Sequence, residues 1–175
     1  MFFPGSAILT LCGNILLHIF LREAIPDMND DLYCMGEALH EACLAAEIDE
    51  VPVGAVIVRD GNIIARAHNL RETEKNALCH AETLCVDRAC RALGGWRLPG
   101  CTLYVTLEPC PMCAGAIVNS RIERVVFGAY DRRAGAFGSV LDLNAYPLNH
   151  KPEIVGGIME EECRALLQSF FKRKR

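Results

Sequence analysis

The sequence predicts an α/β protein of three layers, α/β/α, in which helices cover both faces of a central mixed sheet. Strand-like and helix-like segments alternate along the chain after residue 30, and one strand pair is joined by a tight hairpin turn. At 175 residues the chain fits one domain with a single core. Its 51% hydrophobic and 23% charged residues are those of an ordinary globular domain.

The first half of this domain is predicted as a helix, a hairpin and a second helix. Apolar residues recur at helical spacing from Leu32 to Ala46, with Asp30 or Asp31 as the N-cap. Two β-branched runs then flank the dipeptide at residues 60–61, Asp-Gly, which favours a hairpin turn because both central residues need a positive φ. A polar loop leads into a helix over residues 81–93, which ends at "GGWRLPG".

The second half alternates strands and helices. The strand "TLYVTL" (102–107) runs directly into a helix that continues to Ser120, and "RVVFGA" (124–129) is a further core strand. A Gly-containing loop, "AYDRRAGAFGS", follows it. Residues 152–158 are predicted as an edge strand, and residues 159–175 as the last helix.

Residues 1–27 form an apolar leader that is set apart from the domain of residues 28–175. Its apolar run, Ala7 to Leu21, is shorter than the roughly 20 residues that span a bilayer. No Lys or Arg precedes the run, unlike in a secretory signal. We therefore expect no membrane partner, and we expect translation to begin at Met28, which makes the leader a start-site artefact.

Charge and cysteine content narrow the class of protein. A formal net charge of −4 argues against a protein that coats nucleic acid. The acidic excess lies in the first 52 residues, so a local basic surface for an anionic partner stays open in the remainder. The ten cysteines are scattered through helix-like and strand-like segments, which indicates a reducing cytoplasm and thiols used for metal binding or core packing.

Two motifs, "CHAETLC" (79–85) and "PCPMC" (109–113), carry the chemistry. Both lie at the N-terminal ends of predicted helices, which can converge at one side of the sheet and favour thiolates there. Cys-x-x-Cys spacing lets two thiolates bind one ion, although it also occurs in redox dithiols. The two motifs together predict a zinc site in preference to a redox dithiol or inert core thiols.

Helix geometry selects the ligands in the first motif. Residues i and i+2 lie on nearly opposite sides of a helix, so His80 and Glu82 can face one site only if His80 sits at the cap. Cys79 precedes the cap and is expected to point elsewhere. Cys85 belongs to a stripe of small apolar residues, which predicts a buried core thiol.

Three protein ligands remain, namely His80, Cys110 and Cys113, for one Zn²⁺ per subunit. Three ligands leave the fourth position to water, which is the pattern of a catalytic zinc site. Glu82 is then placed to move the protons of that water. The competing assignment makes Glu82 a fourth ligand, which would close the site.

These motifs, with "EVPVGAVIV", "ARAHNLRE", "TLYVTLEPCPMCAGAIVNSRIERVVFGAYD" and "ALLQSFFKRKR", resemble the bacterial tRNA-specific adenosine deaminases of the cytidine/deoxycytidylate deaminase superfamily. The resemblance covers nearly all of residues 30–175. It implies a cytidine-deaminase-like fold, a homodimer and zinc-dependent hydrolysis of the wobble adenosine in a tRNA anticodon stem-loop, typically of an arginine tRNA, to inosine. It also implies that Glu82 protonates N1 of adenine and later the departing ammonia.

The resemblance further implies a set of substrate contacts. Asn69 matches the asparagine that hydrogen-bonds the flipped base, and Val53 and Leu107 match positions that line the base pocket, although both also suit a strand core. Asp131 matches a position near the target nucleotide, and Arg132 is able to meet a phosphate, as is its neighbour at 133.

The C-terminal "FFKRKR" offers the remaining candidate contacts. Phe170 and Phe171 can pack in the core or stack on a base, and the four cations after them suit phosphate contact. Cations at a helix C-terminus are also favourable without any partner.

Two other functions stay open. The same zinc chemistry can act on a free base or nucleotide, such as guanine or cytosine. In a second alternative, Glu82 or Cys85 closes the zinc site, and the protein is a zinc-stabilised RNA-binding module without catalysis. Asn69, the "GAYDRRAG" loop and the basic C-terminus favour tRNA over a small substrate.

Overall fold

The structure is a computed structural model that describes Gly13 and residues 31–174. The described chain contains, in order, α1 (Asp31–Glu47), β1 (Gly54–Arg59), β2 (Asn62–His68), α2 (Ala81–Leu93), β3 (Cys101–Leu107), α3 (Pro111–Ser120), β4 (Arg124–Ala129), β5 (Glu153–Gly156) and α4 (Glu160–Arg173), with a short 3-10 helix at Leu143–Ala145. The expectations for the leader and for a start at Met28 lie outside the described residues.

The five strands form one mixed sheet in the order β2-β1-β3-β4-β5. β1 pairs antiparallel with β2 and with β3, while β3, β4 and β5 run parallel. The predicted hairpin turn is confirmed, since Asp60 and Gly61 have φ values of 49° and 72°. β5 lies at the edge of the sheet, as its sequence predicted.

Helices cover both faces, which confirms the three-layer prediction. Alternate strand residues such as Ile57 and Leu103 pack in one core cluster with α2 and α3. Their neighbours, such as Val56 and Tyr104, pack in a second cluster with α1 and α4. Each strand therefore contributes to two apolar layers, as expected for a sheet that is covered on both sides.

The first residue of α1 ties that helix to the sheet. Asp31 accepts two hydrogen bonds from the Arg124 guanidinium, at 2.7 and 2.8 Å, and one from the Tyr104 hydroxyl at 2.9 Å. Hydrogen bonding to Arg124 lowers the pKa of the Asp31 carboxyl. Asp31 lies within α1 and is therefore not its N-cap, while the other candidate, Asp30, lies outside the described residues.

Most cysteines of the described chain have free thiols, as the cysteine pattern predicted. Cys43 departs from that expectation and is disulfide-bonded. Among the helices of residues 31–174, none combines the length and apolar character that crossing a bilayer requires.

Candidate active site

Two residues at helix N-termini bring the two motifs together. His80 is the N-cap of α2 and Cys110 the N-cap of α3, both with extended backbone conformations, and neither side chain caps its own helix. Pro111 follows in the first turn of α3, where its missing N–H is not needed. Both cap side chains are therefore free to serve another partner, as the sequence predicted for His80.

His80, Cys110 and Cys113 form a compact group of potential metal ligands, with one ligand atom from each lying within 4.8 Å of the others. His80 Nδ1 lies 3.8 Å from the Cys110 Sγ and 3.5 Å from the Cys113 Sγ. Ligand bonds of 2.0–2.3 Å in a tetrahedral zinc site imply an N-to-S separation of about 3.6 Å. The donor atoms and their spacing thus fit zinc.

The electrostatics of this group favour a thiolate. Hydrogen bonding, first from the Cys113 thiol and then from the His80 imidazole, lowers the pKa of Cys110 to about 4. The same bond to Cys110 raises the pKa of His80. Since the thiolate is the form of cysteine that binds metals, Cys110 is prepared for coordination.

Glu82 lies beside the three ligands but outside the group. It is buried in the first turn of α2, and burial raises the pKa of its carboxyl. Burial with a raised pKa is typical of a carboxyl group that serves as a general acid and base. The position of Glu82 therefore suits proton transfer.

The other two cysteines of the first motif lie away from the ligands. Cys85 is fully buried, and its thiol contacts the carbonyl oxygen of Ala55 at 3.6 Å. Burial raises the pKa of this thiol well above its usual range. Cys79 is also buried and outside the ligand group of the described residues. Of residues 79–85, only His80 belongs to the ligand group of the described residues, and its role as the one ligand from this stretch stays a prediction.

A cleft opens over the group, and its lining combines apolar and polar side chains: Val51, Val53, Asn69, Arg71, His80, Ala81 and Glu82. Val53 lines this cleft, and its contact with a base stays a prediction. Leu107 does not line the cleft and instead packs against both core clusters. Arg71 is a lining residue that the sequence reasoning missed, because a charged residue in a polar loop carries no signal of its own.

Asn69 is held in the cleft by Glu50. The Asn69 Nδ2 donates to Glu50 Oε2 at 2.9 Å, and the Thr73 N–H donates to Glu50 Oε1 at 2.6 Å. A carboxylate only accepts hydrogen bonds, so it fixes the amino end of the amide towards itself. Glu50 is fully buried and was missed from the sequence, where its one signal is an acidic residue directly before the apolar run "VPVGAVIV".

Asp131 and Arg132 follow the end of β4. Because β3 and β4 run parallel, this point lies at the same edge of the sheet as Cys110. The Asp131 carboxylate accepts from the Arg133 backbone N–H at 2.9 Å. Arg132 and Arg133 are exposed, and within residues 31–174 neither forms an ion pair with a described side chain.

The C-terminal helix corrects one predicted contact. Phe170 is only 3% exposed and packs in the core cluster with α1, so it cannot stack on a base. Phe171 is 45% exposed and available. Of the cations that follow, Arg173 pairs with Asp49 at 2.9 Å, and Lys174 pairs with the same carboxylate.

Comparisons with known proteins give consistent results. The model of the MafB19-like deaminase family matches residues 29–175. The chain is 58% identical over 147 residues to the tRNA-specific adenosine deaminase of Bacillus subtilis (strain 168), covering 83% of this chain and 91% of that protein.

Solved structures resemble it as well. One comes from a study of A-to-I editing by tRNA:A34 deaminases at the wobble position of transfer RNA, with a TM-score of 0.75, 46% identity and coverage of 77% of this chain and 99% of that one. A guanine deaminase from Nitrosomonas europaea has a TM-score of 0.69 at 22% identity, covering 89% of this chain and 91% of that one, which shows a shared fold and no more.

Proposed function

This chain belongs to the tRNA-specific adenosine deaminases within the MafB19-like deaminase family, and on that premise we propose its substrate, metal and site residues. The family predicted from the motifs is confirmed. The substrate is the wobble adenosine, position 34, in a tRNA anticodon loop, typically of an arginine tRNA. Hydrolysis replaces the amine at C6 of adenine with oxygen and releases ammonia, so adenosine becomes inosine.

The observation that carries this proposal is the group of His80, Cys110 and Cys113 with Glu82 beside it. These three residues would hold one Zn²⁺ per subunit, since two thiolates and an imidazole form a common catalytic donor set. A bound zinc ion lowers the pKa of water, so that attack on the base proceeds at neutral pH.

The remaining roles belong to residues around the cleft. Glu82 takes one proton from the attacking water and delivers it to N1 of adenine. It then takes the second proton from the hydroxyl group formed at C6 and delivers it to the amine, which leaves as ammonia. Asn69, oriented by Glu50, hydrogen-bonds the extruded base, and Val53 packs against it. Leu107 lies outside the cleft lining and packs against the core, so its role is to support the pocket from the core side.

The RNA contacts outside the pocket form a second set. Asp131 lies next to the target nucleotide, and Arg132 binds a phosphate through its exposed guanidinium. Phe171 offers an exposed ring for stacking. Phe170 is left out of this set because it is buried.

We also propose the setting of the reaction. Residues 28–175 form the deaminase domain, and the enzyme works in the cytoplasm, where its tRNA substrates are made. Family membership supports a homodimer. Light scattering of the purified protein tests the homodimer, and a single-subunit mass would contradict it.

Incubation with a panel of substrates tests the function. The panel contains tRNA transcripts with adenosine 34, the same transcripts with guanosine 34, free guanine, cytosine and deoxycytidylate. We expect inosine and ammonia from the adenosine 34 transcripts alone. Ammonia from a free base alone would replace this proposal with a nucleobase deaminase, whose fold the chain shares.

A further inference from the structure

Glu108 lies between the end of β3 and Cys110, and it is only 2% exposed. Its carboxylate accepts hydrogen bonds from the backbone N–H of Asp131 at 3.1 Å and of Phe137 at 3.0 Å. Ser139 donates both its backbone N–H, at 3.1 Å, and its hydroxyl. All four donors come from residues 131–139, here called the β4 loop.

These hydrogen bonds account for the whole capacity of the carboxylate. Within residues 31–174, no Lys, Arg or His side chain forms an ion pair with Glu108. A buried carboxylate without a cation is costly unless hydrogen bonds fill its acceptor sites. The path of the β4 loop is therefore set by the need to bring four donors to one side chain.

The loop is also packed directly on the segment that carries the ligand. An added Cβ at Gly135 would overlap the Glu108 carboxyl group, so this position requires a glycine. The Ala136 N–H donates to the carbonyl oxygen of Pro109 at 2.9 Å. The β4 loop and the turn at Cys110 are thus held as one unit.

The outer side of the β4 loop presents groups that suit RNA. Arg132 and Arg133 are exposed, whereas residues 135–137 behind them are buried. A guanidinium binds phosphate through directional hydrogen bonds, so its contribution depends on where the backbone places it. Glu108 determines that placement from the buried side.

We propose that Glu108 is a positioning residue for RNA recognition, which fixes the β4 loop so that Asp131 and Arg132 meet the anticodon stem-loop. The inference rests on the proposed function, because it names how that site holds its substrate. Among the described residues, the Glu108 carboxylate accepts its side-chain hydrogen bonds from the β4 loop and none from the three ligand residues. Its loss is therefore expected to weaken substrate binding and to leave the chemical step intact.

The test is the Glu108→Gln variant in steady-state kinetics on an anticodon stem-loop with adenosine 34. Glutamine keeps the size of the side chain, but its NH2 group cannot accept hydrogen bonds. The donors that face this NH2 group therefore lose their acceptor. We expect KM to rise about tenfold, kcat to stay within about twofold, and one zinc per chain to remain. A fall in kcat at unchanged KM, or loss of zinc, would overturn the proposal.

Coupling to Arg132 separates positioning from a general structural role. If Glu108 acts through the β4 loop, adding Arg132→Ala to Glu108→Gln raises KM further by less than about twofold, although Arg132→Ala alone raises it more. If the increases in KM of the two single variants multiply in full in the double variant, the two residues act independently and the proposal is refuted.

Two further variants keep the test decisive. If Glu108→Gln does not fold, Ser139→Ala removes one donor and is expected to raise KM about threefold; an unchanged KM counts against the proposal. Glu37→Gln is the matched control, since Glu37 is buried and pairs with Arg66 on β2. We expect its KM to equal that of the wild type, and a rise like that of Glu108→Gln would refute specific positioning.

The activity of the wild-type protein distinguishes failure of the proposed function from failure of the role proposed for Glu108. If it forms no inosine from any tRNA, the proposed function fails, and this inference fails with it. If it deaminates tRNA while Glu108→Gln has an unchanged KM, only the inference fails.

Discussion

At the scale of single residues, the orientation of the Asn69 amide depends on a buried neighbour, Glu50. Glu50 accepts from the Asn69 amide and from the Thr73 backbone, and it is fully buried. The buried carboxylate therefore turns the amide oxygen of Asn69 away from itself. The proposed recognition of the base by Asn69 thus depends on the Glu50 carboxylate.

Replacing Glu50 with glutamine tests this dependence. The new amide both donates and accepts, so it no longer fixes the orientation of Asn69, and we expect kcat/KM on tRNA to fall about tenfold with zinc retained. The control is Asn69→Ala, alone and combined with Glu50→Gln. The double variant is expected to lose little more than Asn69→Ala, whereas fully multiplicative losses would show that Glu50 acts elsewhere.

The grouping of His80, Cys110 and Cys113 was predictable from the sequence because cap geometry and Cys-x-x-Cys spacing are local properties. The roles of Glu50 and Glu108 were not predictable, since each receives its hydrogen bonds from loops at least 19 positions away. The burial of Phe170 was partly predictable from the sequence. Cys163, Leu166 and Phe170 share the spacing of one helical face, which indicates core packing, and the structure buries all three.

At the scale of elements, α1 is fastened to the sheet through a partly buried ion pair. Asp31 and Arg124 are 26% and 27% exposed, and the Tyr104 hydroxyl completes the contact. Hydrogen bonding to Arg124 lowers the pKa of Asp31, so folding favours its charged form. This contribution to stability is present above the ordinary carboxyl pKa of about 4 and is lost as the pH falls through the lower folded-state pKa.

The Asp31→Asn variant tests that ion pair. At pH 7 we expect the free energy of unfolding to fall by about 1–2 kcal/mol, since the pair retains some solvent screening. The difference in free energy of unfolding between variant and wild type is expected to become smaller below about pH 4. Urea unfolding of both proteins at each pH measures the gap, and effects common to both, such as zinc loss in acid, cancel. A gap that does not depend on pH would contradict this account.

Element order was largely predictable, because each helix and strand has its own apolar period and the Asp-Gly turn defines the hairpin. The contacts formed by residues at the ends of the helices and strands were not predictable from the sequence. Asp31 has the residue type of a helix cap, yet its partners are 73 and 93 positions away. Such partners become visible only when β3 and β4 lie side by side.

At the scale of the whole molecule, the topology gathers the chemistry at one edge of the sheet. β3 and β4 run parallel, so the turn at Cys110 and the β4 loop leave the sheet at the same end. The N-terminus of α2 brings His80 and Glu82 to the Cys110 turn. The fold thereby places the proposed ligands, the proposed proton carrier Glu82 and the β4 loop at one edge of the sheet.

The central claim is that three ligands hold zinc while Glu82 remains free to carry protons. The most direct test measures zinc content and inosine formation in Glu82→Ala, with Cys85→Ala as the matched control on the same face of α2. We predict that both variants retain one zinc per chain, that Glu82→Ala loses at least about a thousandfold in kcat, and that Cys85→Ala keeps its activity. Loss of zinc from Glu82→Ala, or of both zinc and activity from Cys85→Ala, would contradict the claim by showing that a fourth residue closes the site.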